Sequence, residues 1–143
     1  ESYMVASQFD VPIWGQESHA KRVNEGALDN INHFPRMSWI DWMNEVSKFK
    51  YGVHLMPTVA AGTFSLNCGY FGIPVIGNEK VDTQRLIHSF TSVDVGNVKR
   101  ARELAIQLRE DTEFYELCSN TAKENYKKYY TKKTWLKEIK DKI

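Results

Sequence analysis

Cysteine is scarce in this chain. Only Cys68 and Cys118 occur among 143 residues, in unrelated segments. That is too few for a disulfide framework, and they are expected as reduced thiols in a cytoplasmic protein. Long apolar runs are absent too, and none approaches the roughly 20 residues that a membrane-crossing helix needs. No histidine pair shares a helix face and neither cysteine has a ligand-type neighbour at useful spacing, so a zinc site is not expected. The three-glycine dinucleotide fingerprint is missing, as is a phosphate loop ending in Gly-Lys-Ser/Thr. Neither sign of charge dominates: the net charge is +1, which points to no special partner. There is no internal repeat and no low-complexity tract.

What is present describes an ordinary globular chain. The hydrophobic fraction is 42% and the charged fraction 26%, which argues against disorder. Length predicts one domain over residues 1–143 with a core of its own. The chain opens at Glu1 without an initiator methionine and is expected to be a fragment cut at a domain edge. Charge is uneven. From Thr121 onward eight lysines face three carboxylates, a local +5 that leaves −4 on the rest. The usual reading of such a tail is a solvated helix face; an anionic-membrane patch stays open, and nucleic acid is not expected as a partner.

Patterning predicts alternating strands and helices. Ser2 to Ser7 reads as a first strand, Gln8 to Gly15 as a loop broken by Pro12 and Gly15, and Glu17 to Leu28 as a helix. Asn30 to Phe34 is the second strand. Ser38 with Asp41 three residues on caps a helix whose Trp39, Trp42, Met43, Val46 and Phe49 share a face. A third strand lies in Tyr51 to Met56, a glycine-opened helix follows Gly62, and Val75-Ile76 form a fourth strand. Ser92 to Val95 is the fifth strand. Asn97 and Asp111 or Thr112 cap two more helices, and Trp135, Leu136, Ile139 and Ile143 mark a last amphipathic one. The fold class is α/β: an open parallel sheet with helices on both faces.

In such sheets ligands sit beyond the carboxyl ends of the strands, where helix N-termini offer free N–H groups. Gly62, Thr63 and Ser65 fall at such an end and suit a diphosphate. Asn67, one turn on, suits sugar hydroxyls, and Lys80 or Arg85 would neutralise phosphate charge. Each has a plain structural alternative. Gly62 before Thr63 is also an ordinary helix start, and Asn67 on an apolar helix also serves to satisfy a buried backbone group. His54 is expected in the core and the other three histidines at the surface or in loops. Trp39, Trp42 and Trp135 fit core faces, and Trp14 stays unassigned.

Taken together, Tyr51 to Arg85 resembles the donor-binding half of a GT-B-fold glycosyltransferase of the retaining, nucleotide-sugar type. Pro57-Thr58, Ala61-Gly62-Thr63 and Gly72-Ile73-Pro74-Val75-Ile76 stand where that family has its strand end, glycine turn and Gly-x-Pro-Val-Ile element. The order of elements along the rest of the chain is similar as well. The chain departs from the pattern at three places: Asn67 and Val59 replace the family's glutamates, and Ser7-Gln8 stands where basic residues usually follow the first strand, with Lys21 and Arg22 only later.

The resemblance implies a Rossmann-like domain that binds a nucleoside diphosphate sugar. The sugar would pass to a saccharide or lipid-linked acceptor held by a missing N-terminal domain. It implies no metal and no cofactor, and it assigns no catalytic residue within this chain. Two rival expectations are a non-catalytic nucleotide- or sugar-binding module, and an assembly domain that docks through its basic C-terminal helices.

Overall fold

A computed structural model of the chain describes residues 1–16, 31–57 and 61–143. It is an α/β, Rossmann-like arrangement, with its strands in two small parallel sheets rather than one. The elements run α1 (Ser2–Ala6), a 3₁₀ turn (Ser7–Phe9), β1 (Ile13–Gln16), β2 (Ile31–Phe34), α2 (Trp39–Val46) and β3 (Gly52–His54). They continue with α3 (Thr63–Phe71), β4 (Val75–Asn78), α4 (Asp82–Ile87), a second 3₁₀ turn (Ser89–Thr91) and β5 (Ser92–Val93). Helices α5 (Val98–Glu110), α6 (Thr112–Tyr129) and α7 (Lys132–Lys142) close the chain. The larger sheet has the order β3-β4-β5, all parallel, with Gly52 opposite Val75 and Asn78 opposite Val93. β1 pairs with β2 in parallel as a separate ribbon.

Strand alternation divides the core. On β4, Val75 packs with Val46, Cys68 and Ile73 on the α2–α3 side. Its neighbour Ile76 joins Val5, Val93, Leu104 and Leu108 on the α1–α5 side. Both faces of the sheet are therefore covered, which is why β4 reads as an uninterrupted apolar run. The β1–β2 ribbon is tied in through aromatics: Trp14 stacks on Phe34 at 4.5 Å, and Phe34 meets Trp42 edge-on at 6.2 Å.

Several expectations need correction. Ser2 to Ser7 is helical, not a strand: one turn of helix buries Val5, and Ser2 Oγ both accepts from the Leu55 N–H (2.9 Å) and donates to the Leu55 carbonyl (3.2 Å). That side chain covers backbone groups just past β3. The segment expected as a loop contains β1, with Ile13 buried. Gly15 there makes room for Tyr3, whose hydroxyl would lie 2.7 Å from an added Cβ. Trp39 is 58% and Trp135 59% exposed, so neither fills a core. Among the described residues the buried histidine is His88 rather than His54, which is only half-buried. The expected helix over Glu17 to Leu28 lies outside the described residues, as do Val59, Lys21 and Arg22.

The capping assignments agree with the structure. Ser38, Asn97 and Asp111 each accept from the N–H three residues on, Asp41, Arg100 and Phe114.

Candidate functional site

The expected site residues lie on the glycine turn and α3 that follow β3, and on the turn and α4 that follow β4. Gly62 precedes α3 with φ 68° and ψ 33°, a left-handed conformation that an L side chain enters at a cost. It is buried, and an added Cβ would collide with Thr83 Oγ1 and Val81 Cγ1. Thr83 Oγ1 in turn donates to the Gly62 carbonyl at 2.9 Å. The glycine is thus required by the close approach of the start of α4, whatever else binds there.

Thr63 is exposed at the first position of α3, and this helix has no side-chain cap. Ser65 turns inward. Its hydroxyl is fully buried and donates to Gln84 Oε1 at 2.9 Å, so it braces α3 against α4 instead of facing solvent. Asn67 is only 5% exposed, yet among the described residues its carboxamide has no hydrogen-bond partner. No polar side-chain atom of the described residues is both sealed from solvent and unpartnered, so that carboxamide keeps a narrow opening to water. A helical side chain leans toward the N-terminus of its helix, and residues four apart share a face. Asn67 therefore lies behind exposed Thr63.

The cationic candidates diverge. Lys80 is exposed at the tip of the β4–α4 turn, where its N–H is held by Asn78 Oδ1 at 2.9 Å. Arg85 sits in the last turn of α4, paired with Asp82 at 2.9 Å. Together with Asp82 it lies near the Tyr130 phenol, whose pKa is raised by burial and by Asp82 and opposed by Arg85. Sequence reading placed Arg85 at the loop-to-helix junction; α4 instead begins three residues earlier, so the side chain is carried toward α6.

Behind these residues lies a polar core that sequence reading missed. Gln84 Nε2 donates to the Val75 carbonyl (2.8 Å), and Thr91 Oγ1 donates to the same oxygen (2.5 Å). The Val75 N–H donates to His88 Nδ1 (3.4 Å), which leaves Nε2–H to donate to the Ser65 carbonyl (2.9 Å). Burial holds the His88 pKa down at about 4, against a smaller upward pull from its bond to Ser65. This neutral imidazole is a brace between α3 and β4 and takes no part in the exposed edge.

Sequence reading also passed over a carboxylate pair. The register Asn78 to Val93 puts the next residues, Glu79 and Asp94, side by side beyond β4 and β5. A hydrogen bond between them, then their repulsion, raises the Glu79 carboxyl, and Lys80 acts against that rise. Pairing of the fourth with the fifth strand was the signal that would have found them. Beside them a shallow, solvent-open concavity of about 220 Å³ is lined by Leu55, Met56, Asn78, Asp94 and Asn97 among others. Most of that volume is open solvent, and the enclosed part, about 10 Å³, holds roughly one water and no small ligand. Among the described residues no cluster of three or more His, Cys, Asp or Glu could hold a metal ion, and both cysteines are buried free thiols. No described helix is long and apolar enough to cross a membrane.

No family model, curated protein or solved structure matches the chain.

Proposed function

We propose that this chain is a donor-binding domain that holds a nucleoside diphosphate sugar at the N-terminus of α3. The observation that carries the reading is Asn67: a carboxamide almost wholly withdrawn from water, without a protein partner, one turn behind an uncapped helix start. Its narrow opening to water leaves hydrogen-bonding capacity that no protein group uses, and a sugar hydroxyl would take that place. The free N–H groups and dipole of the α3 N-terminus favour the diphosphate, with the Thr63 hydroxyl beside them. Ser65 acts indirectly, through Gln84. Lys80 is better placed than Arg85 to meet phosphate charge, since Arg85 is already engaged with Asp82. The acceptor would be a saccharide or lipid-linked group bound by a second domain, in a cleft completed on domain closure.

A second reading, a binding module without transfer, is favoured by the neutral Asn67 where a charged glutamate would bind about twice as strongly.

Asn67→Leu tests the proposal. The variant should fold with unchanged or slightly raised Tm, because an unpartnered amide is exchanged for an apolar group of similar size. It should bind nucleoside diphosphate sugars about tenfold more weakly, the worth of one good hydrogen bond. Loss of stability with unaltered binding in a calorimetric titration would make Asn67 a structural residue only and remove the support for this site.

A further inference from the structure

We infer that α7, with the end of α6, is a docking surface for an anionic lipid bilayer, a property that stands apart from the donor reading. α7 packs against α6 and has no buried residue. Trp135 is 59% and Leu136 40% exposed. At 100° per residue these two fall on one stripe with Ile139. The same spacing puts Lys132 within that stripe, Lys140 and Lys142 on its two flanks, Glu138 just beyond Lys142, and Asp141 with Lys137 on the far side. An apolar band bordered by lysines is the design of a helix lying in the membrane interface.

The charge is uncompensated. Among the described residues, none of the eight lysines from Lys123 to Lys142 forms an ion pair; the pairs present use Lys48, Arg85, Arg100 and Arg109. Lys128 lies over the Tyr129 ring at 4.9 Å, so the end of α6 adds an aromatic and a cation to the same region. Lysines at an anionic leaflet contribute roughly fivefold each to binding. A nucleic acid would satisfy the charge but leave exposed Leu136 in water, whereas a bilayer takes it. With 11 residues, α7 is too short to cross and would lie flat. It begins just past Tyr130, which neighbours Asp82 and Arg85 of α4, so docking brings that end of the molecule toward the lipid surface.

Co-sedimentation of the 143-residue chain with vesicles is the test. It should bind phosphatidylcholine vesicles containing roughly one-third phosphatidylserine at least tenfold more tightly than phosphatidylcholine alone, and salt should weaken the binding. Trp135→Ser with Leu136→Ser should lower partition about tenfold, and the variant should still unfold cooperatively, because neither side chain belongs to the buried core. Lys140→Gln with Lys142→Gln should lower it by at least as much. The inference is overturned by equal binding to neutral vesicles, by no binding, or by double variants that partition like the parent. Tighter binding to a single-stranded oligouridine than to anionic vesicles would also overturn it, as would a concentration-dependent dimer that the serine variant dissolves.

Discussion

His88 shows how a buried side chain makes the fold sensitive to acid. Its pKa in the native state is about 4, against 6.5 for an unperturbed imidazole, because burial disfavours the charged ring. The unfolded chain therefore takes up a proton first as pH falls. Stability from this residue is complete above pH 6.5 and is lost progressively as pH drops toward 4, by about 3 kcal/mol in all. Urea unfolding at pH 7.5 and pH 4.5 should reveal that loss, and it should shrink in His88→Gln, which has no imidazole to titrate. Gly62 makes a different demand. Gly62→Ala meets both a left-handed backbone and the side chains of Thr83 and Val81, so a cost of about 2 kcal/mol or more is expected. Pairing it with Thr83→Ala should recover part of the cost in the same unfolding assay, since one obstructing atom is removed. The sequence announced Gly62 as a special position but left the cause open; only the packing of α4 against α3 supplies it.

At the scale of elements, helix ends were the most legible part of the sequence, because a cap is a local device read from three or four residues. Ser38, Asn97 and Asp111 all accept from a backbone N–H of the helix they begin; Thr131 does the same for α7 without having been read as a cap, and α3 begins without such a bond. Asp111→Ala should cost about 1 kcal/mol in chemical denaturation, since Asp111 Oδ1 holds the Phe114 N–H at 2.9 Å at the start of the helix that buries Cys118 and Ala122. A change below a few tenths of a kcal/mol would show that water replaces the cap. Short apolar segments were much less legible. Ser2 to Ser7 has too few residues for its period to decide between a strand and one helical turn, and the decision came from Ser2 reaching Leu55, 53 residues away. β1 was hidden by Pro12 and Gly15, breakers whose meaning depends on the partner strand and on Tyr3.

Over the whole molecule, fold class followed from alternation, whereas the division of the strands into two sheets depends on pairings that no local pattern encodes. Gly62, Thr63, Ser65 and Asn67 were singled out in the sequence because they share one short glycine-opened segment after one strand. Their separate fates, exposed, braced or orphaned, depend on what α4 and β4 bring against them. Gln84, His88 and the Glu79–Asp94 pair were missed because each acquires its role from a residue distant in sequence. The central claim is that the start of α3 binds a nucleoside diphosphate, and amide-resolved NMR titration tests it most directly. Adding UDP, GDP, ADP and CDP in turn to the chain should move the amide signals of Gly62 to Asn67 with at least one of them. The dissociation constant should be on the order of 0.1–1 mM, as fits half of a cleft. Signals over this segment that stay fixed through saturating concentrations of all four, or shifts confined to another part of the molecule, would contradict the account.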